Sequence, residues 1–333
     1  MGVTIKDVAE RAGVSISTVS LVINGKGGVS DELKEKIEEA VEELNYHPNA
    51  MARGLKSKKS KVLGLVVPDI LNPFFPQVIK GIEDAAKCYG YTLILGNTDG
   101  KMEEEARYLH LFVEKCVEGI IFIPSGTFNK NIRLFREIKV PRVVIDRALD
   151  DIKVSTVMTD NILGAYLGTR HLLANGRRRI IFVSGPPNLQ ASKDRYAGYI
   201  KALDEFGIKE KIVEYGNFTF ESGKMVTTDA LEKKTKFDAI FAANDMMAFG
   251  AMVVLAEKKI AIPEEVEVIG YDNILFSSLS KPSLTTIGQP AYDMGYEAVK
   301  IVLREIFTKK RNSYVSKLLE PKLIIRESRP RRN

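Results

Sequence analysis

Residues 62–97 read VLGLVVPDILNPFFPQVIKGIEDAAKCYGYTLILGN. Val62 to Val67 is a short apolar run rich in Val and Leu, Pro73 to Gly90 spaces its apolar residues at a helical period, and Tyr91 to Leu95 is a second short run. Strand, helix, strand is one βαβ unit. Its strands lack the apolar/polar alternation of a half-solvated sheet, so a parallel sheet covered on both faces is expected. The pattern continues outward from this unit. Further runs stand at Gly119 to Ile123 and Arg142 to Ile145, then at Ile180 to Val183, Ala239 to Ala242 and Val266 to Gly270, with a weaker one at Ile212 to Tyr215. Helical stretches such as Asn161 to Asn175 and Asn244 to Lys258 separate them. Two sets of strands imply an α/β domain of two lobes, and ligands of such sheets bind at the carboxyl ends of the strands.

Upstream of Lys61 only helical spacings occur. Thr4 can cap a first helix with Ile5, Val8, Ala9 and Ala12 inward, and Gly13 can end it. Ser15 can cap a second helix with Val19, Val22 and Ile23 inward, leaving Ile16, Ser17, Thr18, Ser20 and Leu21 to face a partner. Ser30 can cap a third, with Leu33, Ile37, Ala40, Val41 and Leu44 inward. Two helices joined by a short turn have the spacing of a helix-turn-helix, whose second helix enters the DNA major groove. Over residues 1–61 there are 10 basic and 9 acidic residues, so the head is nearly neutral as a whole. Arg53, Lys56, Lys58, Lys59 and Lys61 nevertheless form a basic stripe with no acid among them.

The 333 residues, 45% hydrophobic and 28% charged with net charge +6, exclude a disordered or collagen-like chain. The longest stretch free of Asp, Glu, Lys and Arg is Ala12 to Gly25, too short and too rich in Ser and Thr for a membrane span. Met1 to Glu10 carries Asp7 and Glu10 without a continuous apolar run, so no secretory signal is expected and a cytoplasmic location is. Cys88 and Cys116 lie in helical patterns without metal spacing and are expected to be buried free thiols. His47, His110 and His171 have no metal-ligand spacing, and no Walker loop, GxGxxG, GxSxG or HExxH occurs. Neither catalysis nor a cofactor or metal is expected.

The match of the head goes beyond spacing. Thr4-Ile-Lys-Asp-Val-Ala-Glu-Arg-Ala-Gly-Val-Ser15, Thr18-Val-Ser20, Asn24, Val29-Ser30, Leu44-Asn-Tyr-His-Pro-Asn49 and Ala52-Arg-Gly-Leu55 follow one another in order. On these motifs the chain resembles the lactose-repressor (LacI/GalR) family of bacterial transcription regulators along essentially its whole length. The resemblance implies that Ile16, Ser17 and Leu21 read base edges, while Thr18, Ser20 and Asn24 mostly position the head on phosphates, with Thr4 and Ser15 also at the DNA-binding surface. Leu21 departs from the pattern, because Arg is common there and would reach guanine; Leu offers only van der Waals contact. The resemblance also makes Asn49 to Lys56 a hinge helix, capped by Asn49, with Ala52, Arg53 and Lys56 facing DNA and Leu55 wedged into a minor-groove base step. So short a helix, containing Gly54, needs DNA and a second hinge to fold. The expected organisation is 1–48 as head, 49–60 as hinge and linker, and 61–333 as effector-binding and dimerisation domain. Lobe 1 spans about 61–160 and 290–318, and lobe 2 about 161–289 and 319–333. No Leu heptad follows the last helix, so a homodimer on double-stranded operator DNA is expected.

Polar residues that follow the strands form the second candidate site. Asn72, Asp146, Arg147, Arg195, Asn244, Asp272 and Gln289 carry the amides, carboxylates and guanidinium groups that suit vicinal hydroxyls, and Phe74 and Phe75 could cover the C–H face of a sugar ring. Each has a plainer reading: Asn72 and Asn244 suit helix caps, Asp146 and Arg147 an ion pair, and Phe74 and Phe75 the core, although one of two adjacent helical residues usually faces outward. The lobes resemble periplasmic sugar-binding proteins, and the set, with Phe218, is similar to that of ribose-binding proteins. The resemblance implies a small sugar effector, D-ribose first, with another sugar or a sugar phosphate as the alternative. A transport protein would need a leader and no head, and a sugar enzyme a nucleophile or acid/base pair.

Overall fold

The computed structural model describes residues 3–25, 27–46, 60–126, 131–146, 153–308 and 314–329. The chain divides into two compact units, Met1–Ser60 and Lys61–Asn333. In the first, helices α1 (Ile5–Ala12), α2 (Ile16–Ile23) and α3 (Asp31–Glu43) close on a small core of Val8, Ala9, Val19, Ile37, Ala40 and Tyr46. Gly13 ends α1 at φ +68°, a left-handed geometry that costs little only where there is no Cβ.

The second unit holds two six-stranded sheets. The first contains β1 (Val62–Val67), β2 (Thr92–Asn97), β3 (Gly119–Phe122), β4 (Arg142–Ile145), β5 (Ser155–Thr159) and, from far along the chain, Ser316–Leu319. The second contains β6 (Ile180–Ser184), β7 (Ile212–Tyr215), β8 (Ala239–Ala242), β9 (Glu267–Asp272) and β10 (Thr285–Gly288), together with Lys322–Ile324. With the two late strands as β11 and β12, the orders are β11-β5-β4-β3-β1-β2 and β12-β10-β9-β8-β6-β7. All pairings are parallel except β10 with β12. In each sheet the order reverses beside the first strand, and the crevice of such a sheet opens there, at the strands' carboxyl ends.

Helices α4 (Phe74–Cys88), α5 (Met102–Glu114), α6 (Ile132–Glu137), α7 (Asn161–Ala174), α8 (Gln190–Glu205), α9 (Phe220–Glu232), α10 (Asp245–Glu257), α11 (Phe276–Leu279) and α12 (Ala291–Thr308) complete the lobes. The strands pack into cores of Val, Ile, Leu and Phe on their two faces. The chain passes from one lobe to the other around Asp160, between Gly288 and Ala291, and between Leu319 and Lys322. On its return, α12 packs closely on α4: a Cβ at Gly81 would stand 2.0 Å from the Tyr292 carbonyl oxygen, and one at Gly295 would stand 2.1 Å from that of Val78.

Four strands, β5, β10, β11 and β12, lie outside the apolar runs of the sequence. β5 reads STVMT and β11 reads SKLL, yet both are paired. Their polar side chains are satisfied locally: Ser155 Oγ donates to Glu305 at 2.7 Å and Thr156 Oγ1 to Ser316 Oγ at 3.0 Å. Two expectations fail. Cys88 and Cys116 are exposed, because Cys88 is the last residue of its helix and Cys116 lies just beyond the end of the next one, left-handed at φ 54°, rather than on an inner face. Phe74 and Phe75 are both buried in the lobe 1 core, edge to face with centroids 5.3 Å apart, so neither faces outward. They stand in the first turn of α4.

Candidate DNA interface and effector cleft

In the head, Ser15 Oγ accepts the Thr18 N–H at 3.1 Å and lies 2.6 Å from Ser17 Oγ and 2.8 Å from Thr18 Oγ1. The cap fixes the start of α2. Thr4 donates from its N–H and its hydroxyl to Asp7, at 2.6 and 2.8 Å, and the backbone donor above all holds the Asp7 carboxyl below the usual carboxylate range. With Val19 wholly buried and Val22 and Ile23 turned partly to the core, the opposite side of α2 is left to solvent. There Ile16 is 43% and Leu21 37% exposed, with Ser17 and Asn24 exposed and Thr18 and Ser20 half-buried. Core packing therefore does not account for Ile16 or Leu21. Asn24 Nδ2 donates to the Ser20 carbonyl at 2.6 Å and closes the last turn. Asn49, Ala52, Arg53, Leu55 and Lys56 lie outside the described residues.

In the larger unit the candidate residues gather at the carboxyl ends of both sheets. Asn72 follows β1 and accepts the Phe74 N–H at 3.1 Å, so it does act as a turn cap. Asp146 follows β4, buried and left-handed at φ 69°. Arg147 lies outside the described residues. Asn244 opens α10, accepting from Met247 N at 3.0 Å and donating to the Phe218 carbonyl at 2.9 Å. Phe218 is itself left-handed at φ 68°, and its ring lies against Gly185, where an added Cβ would stand 2.0 Å from Cζ.

Arg195 is the centre of the lobe 2 side. Its guanidinium is buried over the Tyr271 ring, 3.8 Å from the centroid, and 5.9 Å from that of Phe218. Nε donates to Asn161 Oδ1 at 2.8 Å, and a second nitrogen donates to the Ala243 carbonyl. Asp272 ends β9 at φ 117° and accepts from Gln289 Nε2 at 2.7 Å. Burial drives the Asp272 carboxyl well above the usual carboxylate range; Arg195 opposes that, while the charges of Asp245 and Asp146 add to it. Asp146 of lobe 1 is thus electrostatically in reach of Asp272 of lobe 2. Gln289 Oε1, Tyr271 OH and Ser192 Oγ are buried with no hydrogen-bond partner among the described residues. Unmet polar atoms around a buried carboxylate and guanidinium are what a small polyhydroxylated ligand can satisfy. Surface cavities of about 330 and 430 Å³, one lined by Arg136 to Arg142 with Lys153, Val154, Glu305 and Tyr314 and the other by Tyr89, residues of α12, Val315 and Lys317, contain none of these residues.

Sequence reasoning missed Asn161, the partner of Arg195, and Asp245 beneath Asp272. Asn161 opens a helix after β5, a strand that the apolar pattern hides, and Asp245 looks like an ordinary acid in the first turn of a helix. Among the described residues no cluster of His, Cys, Asp and Glu could hold a metal ion, and no helix is long and apolar enough to cross a membrane.

Comparison with known proteins places these two units. Residues 4–49 match the family described as bacterial regulatory proteins, lacI family, and residues 60–326 match the periplasmic binding proteins and sugar binding domain of LacI family. The ribose operon repressor of Halalkalibacterium halodurans is 37% identical over 325 residues, covering 98% of this chain and 96% of that protein. The HTH-type transcriptional repressor PurR of Vibrio atlanticus is also 37% identical, over 328 residues and 98% of each chain. Among solved structures, the lac repressor dimer bound to operator and the anti-inducer ONPF superposes with a TM-score of 0.88 at 29% identity, covering 98% of this chain and 99% of that one. A LacI family regulator from Enterococcus faecium with bound ribose superposes with a TM-score of 0.74 at 30% identity, over 80% of this chain and 98% of that one.

Proposed function

The chain belongs to the LacI family of bacterial regulatory proteins, DNA-binding transcription repressors with a sugar-binding domain, and from that premise we propose that its effector is D-ribose or a close relative, bound between the two lobes. It is a regulator and not an enzyme. As a homodimer it grips a palindromic operator in the cytoplasm, each α2 presenting Ile16, Ser17 and Leu21 to the major groove and each hinge, from Asn49 to Lys56, entering the minor groove. Exposed Leu275, Phe276 and Leu279 offer apolar surface for pairing.

The observation that carries the ribose reading is the Asp272–Gln289 pair beside Arg195, with Gln289 Oε1 buried and unmet. A carboxylate and an amide acceptor flanked by a guanidinium fit adjacent hydroxyls, and the half-buried Phe218 ring fits a sugar's apolar face. The ribose operon repressor among the relatives, and the ribose in the Enterococcus structure, support the same choice. A relative named PurR is as similar, so the ligand is what the assay must decide. Calorimetry of the full chain with ribose, xylose, glucose, fructose and ribose 5-phosphate, each then added to an operator titration, should show ribose binding tightest and releasing DNA. Tighter binding of another member would replace ribose, and a panel in which no member binds or alters operator affinity would overturn the effector reading.

A further inference from the structure

Directly behind the lobe 2 polar groups lies a carboxylate with no role in the reading above. Asp245, the first residue of α10, has no exposed surface. Its Oδ2 accepts the Ile274 N–H at 2.9 Å and Ser277 Oγ at 2.6 Å, and its Oδ1 accepts Thr286 Oγ1 at 2.6 Å. Gly270 of β9 makes the room, since a Cβ there would stand 2.1 Å from Oδ1. The three donors come from the turn after β9, from α11 and from β10. Asp272 is two residues before Ile274, Gln289 is three after Thr286, and Asn244 is the neighbour of Asp245 itself. One buried carboxylate therefore joins the backbone segments of three candidate effector ligands. Arg326 braces the same turn from outside, donating to Asn273 Oδ1 at 2.6 Å and to the Leu284 carbonyl at 2.9 Å.

We propose that Asp245 is a positioning residue for effector recognition: it sets Asp272 and Gln289 in register with each other and with Asn244. The inference rests on a sugar binding at this cleft. A buried ionised carboxylate is an expensive way merely to tie a loop, because neutral hydrogen-bonding groups of similar size would do so without the desolvation cost. Burial pushes the Asp245 carboxyl up to about 6 against its hydrogen bonds and Arg326. The groups around Asp272 are Asp245 on α10, Arg195 on α8, Asp146 after β4 and the amide of Gln289.

Two variants of the full chain test this, with the parent first titrated against the sugar panel and the tightest sugar carried forward. Asp245→Ala leaves Ile274 N–H, Ser277 and Thr286 without their acceptor and should weaken that sugar at least tenfold while leaving sugar-free operator binding unchanged. Asp245→Asn can keep all three contacts after the hydroxyls turn, and should bind within about threefold of the parent at neutral pH. Without the neighbouring charge, Asp272 ionises at lower pH, so the acid limb of sugar affinity moves down in Asp245→Asn, which a purely structural residue would not cause. Parent-like affinity in Asp245→Ala, or an unmoved acid limb in Asp245→Asn, overturns the inference while the effector reading stands. A parent that binds no member of the panel overturns both.

Discussion

Replacing Arg195 by Met keeps a long side chain over Tyr271 and removes the charge. Three losses follow from the contacts of the guanidinium. Asn161 Oδ1 and the Ala243 carbonyl lose a buried donor, at roughly 1–3 kcal/mol each. The cation 3.8 Å from the Tyr271 centroid adds about 2 kcal/mol when desolvated. Met packing offsets part of this, and the losses are not additive, so the unliganded variant should lose about 3–5 kcal/mol. At roughly 2 °C per kcal/mol in a domain of this size, its melting point falls by roughly 6–10 °C. The pH dependence is the sharper test. Loss of Arg195 removes the cation that opposes burial at Asp272, so that carboxyl rises further above its unfolded value of 3.8. A carboxyl raised in the folded state contributes stability that is fully present below the unfolded value and is lost as pH rises through the folded one. The deficit of Arg195→Met against the parent therefore grows as pH rises and shrinks as the medium is acidified. Urea unfolding followed by far-ultraviolet circular dichroism, without sugar, at pH 7.5, 6.5 and 5.5 measures it. A deficit below 1 kcal/mol, or one that is constant or grows toward acid, would refute the reasoning.

Two further substitutions probe the scaffold. Ser15→Ala removes the acceptor of the Thr18 N–H and should cost the head about 1 kcal/mol, seen as roughly fivefold faster hydrogen exchange at the first amides of α2; unchanged exchange would mean the cap contributes nothing. Gly81→Ala forces a methyl to within 2.0 Å of the Tyr292 carbonyl, so α4 and α12 must separate, at about 1–3 kcal/mol by urea unfolding. Parent-like stability there would show that this helix pair is not in the close contact described.

The two-lobed α/β fold was legible because parallel strands buried on both faces read as short unbroken apolar runs, as at Val62–Val67 and Ala239–Ala242. β5 and β11 escaped because Ser155, Thr156 and Ser316 meet their hydrogen-bonding needs through partners about 150 or more residues away, which no local window contains. For the same reason the candidate ligands were legible one by one, by following each strand to its end, whereas Asp245 was not. Its partners Ile274, Ser277 and Thr286 are brought to it only by the sheet. Phe74 and Phe75 show the limit of helical periodicity, since both of two adjacent residues in one first turn are buried.

The last two strands carry a consequence for how the chain is made. Ser316–Leu319 is the outer strand of one sheet and Lys322–Ile324 that of the other, and α12 returns to lobe 1 only after lobe 2 has been spelled out. Neither lobe is a continuous piece of polypeptide. On the ribosome, which releases a chain from its amino end, the head can close as soon as it emerges, while both lobes stay unfinished until nearly the final residues are free. The part of the protein that recognises DNA is therefore ready before the larger part that governs it.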